Sequence, residues 1–195
     1  MAGRRAGAGL VLSATALTAA GCLGAGTKTV TATHTQTITS TKTVTTKGSV
    51  TSARPCLGTQ LQATFSEVPN SAGAGQIAYA LRVKNTSQSP CSVHGIPNGT
   101  LLGASGTALP THVKAAGAVG TRRILLPPGA SATAQARFSP DVAGEGDSQS
   151  GTCQPQAHTF QVTSEGGGVT EAPIRPPTSV CEQGTLHFDA FDYPH

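Results

Sequence analysis

Residues 56–195 of this 195-residue chain predict an all-β domain: about seven to eight short strands in two antiparallel sheets packed face to face. Three observations carry the prediction. Apolar and polar residues alternate at period two in run after run. Turn residues recur about every ten positions, and helical periodicity is nearly absent. The length is that of one domain, and such a chain buries about 68–70% of its unfolded surface, enough for a core.

Residues 1–55 come first and have a different character. Arg4-Arg5 opens them, an uncharged run follows from Ala6 with Leu10, Val11 and Leu12 at its centre, and Ala19, Ala20 and Gly21 lead to Cys22. A basic start, an apolar middle and a small-residue end describe an export signal. Leu17-Thr18-Ala19-Ala20-Gly21-Cys22 resembles a bacterial lipobox, with Ala19 where Leu is usual. That resemblance implies a lipoprotein signal peptide over 1–21, cleaved so that Cys22 becomes the mature N-terminus and carries a diacylglycerol thioether and palmitate. An ordinary secretory signal and an uncleaved membrane helix are the alternatives. The uncharged stretch 6–26 is long enough to span a bilayer, but only five of its residues are Val, Leu, Ile, Met or Phe.

From Thr27 to Thr45 every odd-numbered residue is Thr. Period two would normally indicate a strand, yet the even positions include Lys28, His34, Gln36 and Lys42, so neither face is apolar enough to bury. Residues 22–55 are therefore expected to form a disordered, low-complexity tether behind the lipidated cysteine. Fully extended, it reaches about 100 Å. An edge strand pairing with the domain is the alternative for this stretch.

The formal net charge of +4 suggests a nucleic-acid binder until it is divided along the chain. Residues 1–55 hold six basic residues and no acid, whereas 56–195 hold seven basic residues and nine acids, a net of −2. Its only adjacent basic pair, Arg122-Arg123, lacks the clustered cations that phosphate backbones require. No nucleic-acid partner is expected.

Five cysteines are an odd number for an exported chain, and lipidation of Cys22 leaves four. Cys56, Cys91, Cys153 and Cys181 then imply two disulfides in an oxidising compartment. Four cysteines allow three connectivities; the sequential one, Cys56–Cys91 and Cys153–Cys181, is the expectation taken forward. Each bridge would add on the order of 3–4 kcal/mol by the chain-entropy model.

Within the domain, Leu61, Ala63 and Phe65 alternate with Gln62 and Thr64, and Ile77, Tyr79, Leu81 and Val83 with Ala78, Ala80, Arg82 and Lys84. Ala132, Ala134, Ala136 and Phe138 alternate with Ser131, Thr133, Gln135 and Arg137; Phe160 and Val162 follow the same rule, as do Leu186 and Phe188. Leu101-Leu102 and Ile124-Leu125-Leu126 add two shorter runs. One apolar face per strand makes an immunoglobulin-like sandwich the first choice and a jelly roll the second. Phe65, Tyr79, Leu81, Val83, Phe138, Phe160 and Phe188 are the expected core, and 139–157 is expected to be a long mobile loop stapled at Cys153.

Leu81-Arg82-Val83-Lys84-Asn85-Thr86-Ser87, followed by Ser89-Pro90-Cys91-Ser92-Val93-His94-Gly95-Ile96-Pro97, resembles the actinobacterial "domain of unknown function 4232". So do Leu126-Pro127-Pro128-Gly129-Ala130-Ser131-Ala132 and the position of Cys56 at the start. The resemblance implies an exported, often lipid-anchored domain of high-GC Gram-positive bacteria. It carries no known activity and no catalytic residues.

Chemistry-bearing motifs are sparse. Gly103-Ala104-Ser105-Gly106-Thr107 lacks the last glycine of a nucleophile elbow, and the four domain cysteines are expected to be oxidised. His187, Asp189, Asp192 and His195 are a weak candidate set for Zn²⁺ or Cu²⁺, set against a solvated strand face running into a frayed terminus. Asp141, Glu145 and Asp147 miss the spacing of a calcium loop and are expected to be solvated; His94 and His112 read as surface histidines near turns. No metal, cofactor or catalytic residue is therefore expected. The expected function is a lipid-anchored, monomeric, non-catalytic β-sandwich on the outer face of the cytoplasmic membrane, binding or scaffolding an envelope protein or glycan. The alternative is a solute- or metal-binding lipoprotein serving a transporter.

Overall fold

The computed structural model describes residues 53–120 and 122–194. The signal peptide 1–21, Cys22, nearly all of the tether 22–55 and His195 lie outside the described residues. Ten strands follow in order: β1 (Leu61–Glu67), β2 (Ile77–Asn85), β3 (Cys91–His94), β4 (Asn98–Leu102), β5 (His112–Ala115), β6 (Arg123–Leu126), β7 (Ser131–Phe138), β8 (Ala157–Thr163), β9 (Val169–Thr178) and β10 (Thr185–Phe188). The domain is an all-β, mostly antiparallel sandwich, immunoglobulin-like in architecture and larger than the seven or eight strands that the alternation marked. Two pairings, β1 with β9 and β10 with β5, are parallel.

Eight strands form one sheet in the order β4-β8-β9-β1-β2-β7-β10-β5, and β3 pairs with β6 separately. In a flat sheet β8 and β10 would lie about 24 Å apart, five spacings of about 4.8 Å. Instead the rings of Phe160 on β8 and Phe188 on β10 stack with centroids 5.7 Å apart. The sheet therefore folds over on itself, and the turnover falls in β9. Val169 to Pro173 pair with β8, Ile174 and Arg175 pair with β1, and Thr178 returns to Ala157 of β8 past a bulge.

The core lies between the two layers. Phe65 contacts Tyr79, Phe160 and Phe188 at 5.4–5.8 Å between centroids, and Tyr79 contacts Phe138 at 5.3 Å, tilted and offset arrangements that aromatic rings favour. All seven residues named above for the core are buried, and Val93, Ile124 and Leu126 of the β3–β6 pair join the same cluster. Cys56 bonds to Cys91 and Cys153 to Cys181, with Cα atoms 4.8 and 5.4 Å apart. Among the described residues no helix is long and apolar enough to cross a membrane.

Two polar side chains organise loops from inside. Asn85 is fully buried; its amide donates to the carbonyls of Ser89 and Leu126, both at 2.8 Å, while its oxygen accepts from the amide and hydroxyl of Ser87. The Asn-Thr-Ser stretch that fits a glycosylation acceptor is thus a turn pinned by its own asparagine. Asp147 plays the same part in 139–157, which is anchored at its centre and not merely stapled at Cys153. Its carboxylate accepts from the backbone amides of Gly144, Glu182 and Gln183 and from the Gln154 side chain. Only 9% of Asp147 is exposed, so the expectation of a solvated acid is corrected. Burial alone raises the pKa of this carboxyl, but those four donors outweigh it and hold the group at about 2.

Candidate functional site

The β3–β6 ladder places His94 directly opposite Arg123. Glu165 reaches both from the turn joining β8 to β9. Its Oε2 lies 2.7 Å from His94 Nδ1, and the Arg123 guanidinium donates to both carboxylate oxygens at 3.1 and 3.3 Å. The turn owes its position to glycine. The Gly166 amide donates to the Cys56 carbonyl, and a Cβ at Gly166 would stand 2.6 Å from that oxygen. Gly167 and Gly168, with φ of 102° and 77°, complete the reversal. Burial pushes the Glu165 carboxyl up, yet the Arg123 and His94 contacts prevail and hold it below the ordinary carboxylate range.

Beside this trio opens a cavity of about 250 Å³ between the layers. Leu61, Val83, Val93, Val162 and Phe191 give it an apolar wall, and His94, Asn98, Thr163 and Glu165 give it a polar rim. Phe191 arrives from the C-terminal segment, whose amide at Phe191 donates to the carbonyl of Gly95 at 2.9 Å. Gly95 itself has φ 66°, a left-handed conformation that admits glycine at little cost. Ser164 also lines the space; its hydroxyl is buried with no hydrogen-bond partner among the described residues. The chain enters the domain at this end, since Cys56 lines the cavity and its amide bonds the Ser92 carbonyl. An apolar wall with a few convergent polar groups is the make-up of a small-ligand site. Here the polar groups include a carboxylate already shared between an imidazole and a guanidinium.

The C-terminal metal candidates are placed differently. His187 stands on the outer face of the sheet, opposite Arg137 on one side and Lys114 on the other. Asp192 faces Arg122 at 3.4 Å, and His195 lies outside the described residues. Among the described residues, the one group of three whose ligand atoms lie mutually close is Asp147, Cys153 and Cys181. Both of its sulfurs are spent in a disulfide, so it offers no thiolate.

Nothing in the local sequence announces the trio. His94 was expected at the surface, Arg123 figured only as half of a basic pair, and Glu165 was not singled out. The β3–β6 register and the turn after β8 bring together residues 42 and 71 positions apart, and no local motif marks them. The two disulfides belong to the chemistry of an oxidising, extracytoplasmic compartment. The family model described as "Domain of unknown function (DUF4232)" matches residues 56–191. No curated protein and no solved structure matches the chain.

Proposed function

We propose that this chain, which belongs to the DUF4232 family, is a lipid-anchored cell-envelope protein that presents a non-catalytic β-sandwich for binding or scaffolding. In this reading Cys22 carries the lipid on the outer face of the cytoplasmic membrane, residues 22–55 are the tether, and the domain engages an envelope partner. The observation that carries it is the cavity of about 250 Å³ with His94 and Glu165 on its rim, Glu165 being held from behind by Arg123. Its apolar wall receives an aliphatic or aromatic group, and the rim supplies polar contacts at the mouth. Glu165 is already engaged by both neighbours, which suits a fixed recognition surface better than a proton shuttle.

A photo-crosslinking residue at Asn98, tested in intact cells with and without the cavity-filling change Ile96→Trp, examines this reading. A discrete adduct abolished by the filling change is expected. An unchanged adduct, or none, refutes binding at the cavity. The alternative, a solute-binding lipoprotein serving a transporter, draws on the same volume, which matches a small apolar solute. It predicts a bound small molecule in native mass spectra.

A further inference from the structure

Residues 56–194 contain seven lysines and arginines. Arg122 and Arg123 are in ion pairs. The other five, Arg82, Lys84, Lys114, Arg137 and Arg175, are exposed and have no acidic partner among the described residues. Strand register puts all five on one side of the large sheet. Arg82 lies between Thr64 and Thr133, and Lys84 between Gln62 and Ser131. Arg137 lies between Ala78 and His187, His187 is opposite Lys114, and Arg175 is opposite Ser66. Their strand neighbours Leu81, Val83, Ala136, Phe138 and Ile174 are buried, so the cations stand on the outer face.

Asp189 and Asp192 share the central rows of this face, and Asp192 is paired with Arg122; further out, Glu171 stands on the same side of β9 as Arg175, and Glu145 and Glu182 border Lys114. Over the central strands β1, β2, β7 and β10, counting that pair, Arg82, Lys84, Arg137 and Arg122 stand against two carboxylates, +2, in a domain whose total is −2; everything else therefore sums to −4. The cations spread over six strands, a width of about 24 Å at the usual spacing. Between them the face is hydroxyl and amide: Gln62, Thr64, Ser66, Thr133 and Gln135. An open groove of about 580 Å³ runs along it, lined by Arg82, Thr133, Gln135, Asp189, Asp192 and Tyr193.

From this we infer that the outer face of the large sheet binds an anionic polysaccharide. The cations meet its acidic groups. Asp189, Thr133, Gln135 and the half-exposed Tyr193 meet its hydroxyls in the groove. The carboxylate of Asp189 in that groove, unpaired among the described residues, accepts hydroxyl hydrogens, which a sugar chain has and a bare polyphosphate lacks. A lipid surface fits less well. The exposed large apolar residues Leu57, Val119 and Val142 lie outside the strands of this face, Val169 stands alone at the start of β9, and a flat bilayer does not enter a groove. This surface is separate from the cavity, so the inference stands or falls independently of what the cavity binds.

The test is calorimetric titration of the full chain with polygalacturonate, neutral dextran and inorganic polyphosphate, and sedimentation with phosphatidylglycerol vesicles. Each is run with the native chain and with the triple variant Arg82→Gln, Lys114→Gln, Arg137→Gln. The changed side chains are exposed, and a thermal melt of the variant checks that the fold is kept. Polygalacturonate is expected to bind and to weaken with added salt. It should bind more tightly than polyphosphate of equal charge, lose at least tenfold in the triple variant, and lose severalfold in Tyr193→Ala. Dextran should not bind, and vesicle binding should be the same for native and triple-variant chains. Equal affinity for polyphosphate, an unaffected triple variant, or loss of vesicle binding alone would overturn the inference, the last in favour of a membrane surface.

Discussion

Replacing Asp147 with alanine tests how the loop 139–157 is held. The carboxylate accepts three backbone amides, from Gly144, Glu182 and Gln183, and the Gln154 side chain. Glu182 and Gln183 have φ of 52° and 54°, a left-handed conformation costing roughly 1–2 kcal/mol per non-glycine residue. Asp147 compensates that strain by bonding both of their amides. An unsatisfied buried amide costs about 1–3 kcal/mol, and water reaching part of the opened loop recovers some of it, so a loss of about 3 kcal/mol is expected. For a domain of this size that lowers Tm by roughly 10 °C. The pH dependence gives a second readout. The folded carboxyl titrates at about 2, below its ordinary 3.8. Its contribution is thus fully present above about pH 4 and is lost as pH falls from 4 toward 2. Thermal melts with both disulfides intact, from pH 7 to pH 2, measure both effects. A Tm within about 2 °C of the native protein at pH 7, or the same acid sensitivity in variant and native chains, would refute the reasoning.

Three further outcomes follow from the core. Asn85→Ala removes four hydrogen bonds from a fully buried site and should cost about 3 kcal/mol in urea unfolding; less than 1 kcal/mol would contradict its role as organiser of the turn before Cys91. Phe160→Ala, at the stacking point with Phe65 and Phe188, should cost about 3–5 kcal/mol, with the denaturant slope showing whether the layers still close. Burial, with Glu67 adding to it, raises the pKa of the Tyr79 hydroxyl. A raised folded pKa means stability that is complete below pH 10 and is lost above it, so Tyr79→Phe should flatten the alkaline limb of a stability profile; an unchanged limb would assign it to other groups.

How much of this was legible in the sequence depended on how local the cause was. Strict alternation marked β1, β2, β7, β8 and β10, because one buried face imposes period two on the residues themselves. β9 stayed hidden. Pro173, Pro176 and Pro177 argue against a strand, and only the buried alternation of Thr170, Ala172 and Ile174 betrays it. That omission concealed the fold's turnover, because β9 joins the two layers. The His94–Glu165–Arg123 trio was illegible for a related reason: its members meet through the β3–β6 register and a glycine turn, neither of which leaves a local pattern. Asp147 looked like one acid in a polar loop; what sets it apart is the pair of left-handed residues at Glu182 and Gln183, visible only in backbone angles. The cationic face was half legible. Arg82, Lys84 and Arg137 occupy polar positions of recognised strands, whereas Lys114 and Arg175 lie on strands the alternation did not reveal.

The claim that a β-sandwich is held at the membrane through its own N-terminus is tested most directly by the mass of the mature protein extracted from native membranes. The account predicts an N-terminal Cys22 carrying a diacylglycerol thioether and a palmitoyl chain, with nothing of residues 1–21 attached. A free Leu23 terminus, or an intact Met1, would contradict it.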